Sequence, residues 1–204
     1  YKMIDYILII LNNIQILILD NFVLSLISYF LFCLLFFFLS LPGGIIITLS
    51  SGFFFGFYIG FLINIISITI GSLLFTILSK YFFLNYFNSY LSKYTDKLNN
   101  IIKKSSYEYL ILIRLIFGIP LIIQNLFIST LEISKFKFII SSLLGFTPYF
   151  LIFTYAGDKI SNLIEIKSFS IKNIFSFEIL IAIIFLVVIM IYRIYYKNYS
   201  KKFN

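Results

Sequence analysis

Apolar positions run almost unbroken along this chain, so the interruptions carry the information. Residues 4–20 are apolar but broken by Asp5, Asn12, Asn13, Gln15 and Asp20. At about 100° per residue those five fall on one half of a helix. The pattern predicts an amphipathic helix over residues 1–21, lying at a membrane interface. Residues 22–41 are nearly all apolar and long enough to cross about 30 Å of hydrocarbon, which predicts a first span. From Pro42 to Ser79 there is no charge. One helix of that length would measure about 57 Å, so the chain must turn back inside it. In residues 84–102, Leu84, Phe87, Leu91, Tyr94, Leu98, Ile101 and Ile102 recur at three- and four-residue steps among Asn, Ser, Lys, Thr and Asp. This predicts a second amphipathic helix on a membrane surface. Three further apolar stretches follow, at 109–131, 136–156 and 174–192.

Composition agrees with this pattern. The 204 residues are 61% hydrophobic and only 12% charged, against about 25% charged in a soluble domain. The chain cannot cover itself with polar surface, which makes it an all-α integral membrane protein. The favoured Ile, Phe, Asn, Lys and Tyr have A/T-rich codons, so the skew reflects base composition rather than function. Histidine is absent, which removes Ser-His-Asp and Cys-His chemistry. The one cysteine, Cys33, lies in an apolar run; it reads as a small buried hydrophobe and allows no internal disulfide. No enzyme activity, cofactor, metal site or nucleic-acid partner is expected.

Lysine placement orients the segments. Lys80, Lys93, Lys97, Lys103 and Lys104 outnumber Asp96 and Glu108, and the tail carries Arg193, Lys197, Lys201 and Lys202 with no acid. The loop from 158 to 173 is nearly balanced. The positive-inside tendency places the first two regions in the cytoplasm and the balanced loop outside. Residues 174–192 and 136–156 then cross the membrane, so 109–131 must enter and leave by the cytoplasmic face. Gly118 and Pro120 supply its turn. The same counting makes 42–60 a hairpin entering from outside, followed by a span to Ser79. The expected architecture has about four transmembrane helices and two opposed re-entrant hairpins, at about 42–60 and 109–131. Such an inverted repeat, over residues 22–157, places a site where the hairpin tips meet near the midplane. An external loop (158–173) and a last span with a basic cytoplasmic tail (174–204) complete the chain. Lys93, Lys97, Lys103 and Lys104 are expected to face anionic headgroups.

Arg114 is the outstanding residue for chemistry, because no other charge lies between Tyr109 and Thr130. An arginine at mid-membrane costs roughly 2.5 kcal/mol or more, so it is seldom idle. It reads as a contact for phosphate or carboxylate, or as a side chain snorkelling to the cytoplasmic interface. Gln124 and Asn125, after Pro120, line a polar cavity or bond backbone freed by the turn. Pro42, Gly43 and Gly44 begin backbone that cannot run straight through. Gly52, Gly56 and Gly60, continued by Asn64, Ser67 and Gly71, form a stripe suited to close helix packing. Asn64 is a candidate site residue or inter-helix glue.

These residues resemble the VTT-domain proteins, the superfamily of DedA and the SNARE-associated Golgi proteins. "LPGGIIITLSSGFFFGFYIG" resembles its first signature. Arg114, Pro120 and Asn125 match the second; Gly145, Pro148, Tyr155 and Gly157 match a third. The similarity runs in order over about 22–157. It is closer to the Golgi-protein branch. Where the DedA branch has an acid after the first Pro-Gly, this chain has Gly44, and Leu121 to Thr130 lacks that branch's second arginine. The resemblance implies two opposed re-entrant loops and a role in membrane homeostasis, with lipids as partners. Relatives scramble phospholipids, translocate lipid-linked phosphates or support ion-coupled transport. Lipid translocation or scrambling is the leading expectation, a small ion or solute transporter the second, and a non-transporting scaffold the third. The expected location is a bacterial plasma membrane, or an organelle membrane in a eukaryote, with both termini cytoplasmic. A homo-oligomer is compatible with this pattern.

Overall fold

The computed structural model describes residues 2–82, 107–116 and 118–166. The surface helix expected at 84–102, the four lysines expected to face headgroups (Lys93, Lys97, Lys103 and Lys104), and the last span with its tail lie outside the described residues. Among the described residues there is no strand. The described residues form six helices: α1 (Lys2–Asp20), α2 (Phe22–Phe38), α3 (Gly44–Phe82), α4 (Glu108–Leu115), α5 (Leu121–Ser129) and α6 (Lys135–Ile166). Two are long and apolar enough to cross a membrane: α3, and α6 over Lys135–Ser161. The bent pair α1–α2, meeting at 113°, makes a third if counted as one span. On α1, Ile16, Leu17 and Leu19 are exposed.

Two reversals break the long uncharged run. The first ends α2. The amide of Leu41 donates to the Phe36 carbonyl (3.3 Å) and that of Ser40 to the Phe37 carbonyl (3.1 Å), while Ser40 takes φ 51°. This is a Schellman stop with serine where glycine is usual, and Pro42 follows to prevent resumption. The second is Gly56, at φ 74° and ψ 173°, a conformation open essentially to glycine alone. A Cβ on Gly60 would lie 2.7 Å from the Ser51 carbonyl oxygen, a contact possible only if 44–55 folds back against the arm that begins at 57. Thus α3 is a short arm (44–55, about 18 Å) and a long arm (57–82, about 39 Å) packed antiparallel.

The short arm also lies antiparallel to α2. Tyr29 donates to the Ile47 carbonyl at 2.7 Å, and the Phe22 and Tyr29 rings meet Phe55 with centroids at 6.2 and 5.1 Å. The end of α2 reaches only halfway along the long arm: a Cβ on Gly71 would stand 2.7 Å from the Phe38 nitrogen. The sequence reading made 22–41 a full span and 42–60 the hairpin. In the structure α2 turns at 39–43 into the short arm 44–55, and Gly56 then turns the chain into 57–82. Helix α6 continues through Ile166, into the stretch 158–173.

The second half repeats the order of elements, and its long helix runs antiparallel to the long arm of α3. The hairpin α4–turn–α5 is followed by the long helix α6. The far end of the long arm of α3 meets the start of this unit, Lys80 Nζ donating to the Leu131 carbonyl at 3.1 Å. The Gly56 end meets the other end of α6, near Asp158. The apolar core sits between the halves, with Cys33, Phe37, Ile68 and Phe150 buried.

Candidate functional site

The turns of the two hairpins touch. In the second, Ile116 leaves α4 extended, Gly118 takes φ 90°, and Pro120 precedes α5. The Pro120 carbonyl starts α5 by accepting from Ile123 (3.0 Å) and Gln124 (3.2 Å). Gln124 Nε2 donates back to the Ile119 carbonyl at 3.2 Å, which ties the turn. Asn125 Nδ2 then reaches across to Ser40 Oγ in the first turn at 3.0 Å. Both groups are buried, where an unmade bond would cost about 1–3 kcal/mol.

Arg114 is held from this junction. Its Nη1 donates to Asn125 Oδ1 at 2.7 Å and to Gln124 Oε1 at 3.4 Å. The guanidinium carbon lies 5.1 Å from the Phe138 ring centre and 4.8 Å from that of Phe146, so two aromatic faces also hold the cation. Gly145 makes room: a Cβ there would fall 2.4 Å from Arg114 Cβ. Arg114 is 4% exposed and does not extend along the surface. Its Nε and Nη2 have no hydrogen-bond partner. These two nitrogens form one edge of the planar fork, the edge that matches two oxygens of a phosphate or carboxylate.

Arg114 also lines a cavity of about 620 Å³. Arg114, Gln124 and Pro120 line it from the second hairpin; Pro42, Gly43 and Gly44 line it from the first, and Phe146, Tyr149 and Phe153 from α6. Asn125 stands behind the wall as the bridge between turns. Gln124 performs both roles that the sequence left open, since it lines the cavity and bonds turn backbone. Asn64 is elsewhere: its Nδ2 donates to Ser51 Oγ and to Thr154 Oγ1 (3.2 Å), which joins both arms of α3 to α6. Three contributors were missed. Ser40 carried a local signal, a hydroxyl just before the Pro-Gly-Gly. Phe138 and Phe146 carried only their helical spacing around Gly145. Among the described residues no group of three or more acidic or cysteine side chains converges as a metal site.

The family model of the VTT domain matches residues 41–159, which takes in Pro42, Gly43 and Gly44, the second turn, Arg114 and the crossing of α3 with α6. No curated protein and no solved structure matches the chain.

Proposed function

Because the chain belongs to the VTT domain family, we propose that this membrane protein moves phosphate-bearing lipids between leaflets, without converting them chemically. The observation that carries this reading is buried Arg114, which lines a mainly apolar cavity while its Nε and Nη2 have no hydrogen-bond partner. A buried arginine edge is costly unless a ligand completes it. A phospholipid supplies both needs, two phosphate oxygens for the fork and acyl chains for the apolar walls. The two turns act as re-entrant tips at mid-depth, where irregular backbone is tolerable because protein surrounds it. The apolar walls favour a lipid over a bare ion.

Reconstitution tests this. Purified protein in liposomes with a fluorescent phospholipid should expose inner-leaflet label to dithionite faster than empty vesicles do, without passing entrapped small solutes. Solute passage without lipid exchange would favour a solute transporter instead. Neither activity would favour a scaffold.

The same reading places the Lys80 and Lys135 end in the cytoplasm, and the Gly56 turn on the other side. In a Cys33→Ser background, cysteines at Tyr81 and Phe136 should react with an impermeant thiol reagent only from inside, and one at Tyr58 only from outside. All three parent side chains are exposed. Reaction of positions 58 and 81 from the same side would overturn the arrangement.

A further inference from the structure

At the end of the long arm of α3 away from Gly56, a second cavity of about 330 Å³ lies against the start of α6. Phe138 lines it and also stacks on the Arg114 guanidinium, so a single ring separates this space from the arginine. Thr76, Lys80, Tyr81, Ser134 and Lys135 contribute to its walls.

The chemistry of those walls is that of an anion site. Lys80 and Lys135 both line this small space, so two cationic side chains border it. Lys80 gives one proton to the Leu131 carbonyl and keeps two. The first turn of α6 adds its outward N–H groups and the positive end of its dipole. Ser134 caps that turn, its Oγ accepting from the Lys137 amide at 3.2 Å. Thr76 is the independent sign of a ligand. It is 4% exposed, it lines the cavity, and its hydroxyl has no hydrogen-bond partner. A buried hydroxyl left without an acceptor is unfavourable, and a phosphate oxygen would be one. Among the described residues no acid lines the cavity, Glu132 of the same turn included, and Lys137 lies over the Tyr107 ring, 5.8 Å from its centre.

We infer that this cavity binds a phosphate group through Lys80, Lys135 and the Thr76 hydroxyl. Its source is an acidic phospholipid headgroup or a soluble phosphate. The site does not depend on whether the protein moves lipids, since binding here needs only the interface end of the two long helices.

Two arms distinguish the sources. In the first, the full chain is placed in phosphatidylcholine nanodiscs containing one part in five phosphatidylglycerol, and association of spin-labelled phosphatidylglycerol is compared with that of spin-labelled phosphatidylcholine. In the second, inorganic phosphate is titrated onto the protein in pure phosphatidylcholine nanodiscs. A lysine near a headgroup contributes about a fivefold preference. Lys80→Gln and Lys135→Gln should each lower acidic-lipid preference about fivefold, and Thr76→Val about threefold. Lys159→Gln, at the other end of α6, should change nothing. All four variants should melt as the parent does. Loss of inorganic phosphate binding in the two lysine variants would support the site and name a soluble ester as its source. If neither arm depends on Lys80 and Lys135, or if Lys159→Gln lowers lipid preference equally, the proposal is overturned.

Discussion

Arg114→Ala should reduce lipid exchange in proteoliposomes to the level of empty vesicles, while the protein stays inserted and monodisperse. The size of the effect follows from the bonds removed. Each hydrogen bond between charged partners is worth about 1.5 kcal/mol or more. Losing both contacts of the Nε and Nη2 edge therefore slows passage by roughly a hundredfold. Arg114→Lys keeps the charge but replaces the planar edge with a single point donor, so about a tenfold loss is expected. Stability should move little, because the substitution removes a buried charge as well as its bonds to Asn125 and Gln124. Two other roles predict different series. A snorkelling arginine would be served fully by lysine and adequately by glutamine. A structural bridge to Glu108 would make Glu108→Gln resemble Arg114→Ala, with both lowering the melting temperature. The hydrogen bonds of Arg114 go to the amide oxygens of Asn125 and Gln124, which argues against both. Normal flux in Arg114→Ala would remove the phosphate mechanism.

How far the sequence revealed this site depends on how local each signal was. Arg114 was legible because a lone charge in a long apolar run has few explanations. Pro42, Gly43 and Gly44 were legible as a turn, because proline removes a donor and glycine relaxes the backbone. Where α2 ends against the long arm of α3 was not legible, because it is set by Gly71 against Phe38, a contact between residues far apart in the chain. Gly56 read as one more small residue in a stripe, although it is the one that reverses the chain. Ser40 was missed because a positive φ at serine follows from a preference usually met by glycine, and its bond to Asn125 joins distant hairpins. Asn64 shows the reverse case. Its place among small residues suggested both a site and inter-helix glue, and its bonds to Ser51 and Thr154 fit the glue.

The same distant contacts set the largest expected stability effect. The short arm of α3 crosses α6 with almost no side chain between the backbones. A Cβ on Gly52 would lie 2.0 Å from the Thr154 carbonyl oxygen, and one on Gly157 would lie 2.0 Å from that of Leu49. Neither oxygen can swing away as a flexible side chain could, so the helices must separate by more than an ångström. Separation would open the packing that supports Asn64 and Thr154 and would carry the first turn away from Asn125. Overpacking of this kind costs about 2–3 kcal/mol. Gly52→Ala and Gly157→Ala should each lower the melting temperature in detergent by roughly 5–10 °C, at about 2–4 °C per kcal/mol for a chain of this size. Gly118 is the control. A Cβ there meets nothing within 4 Å, so Gly118→Ala carries only the strain of a positive φ, about 1–2 kcal/mol. The double variant Gly52→Ala/Gly157→Ala should lose less than the sum of the singles, because one separation of the helices relieves both clashes. Full additivity, or a Gly118→Ala loss as large as that of Gly52→Ala, would show that the crossing is not held by backbone contact.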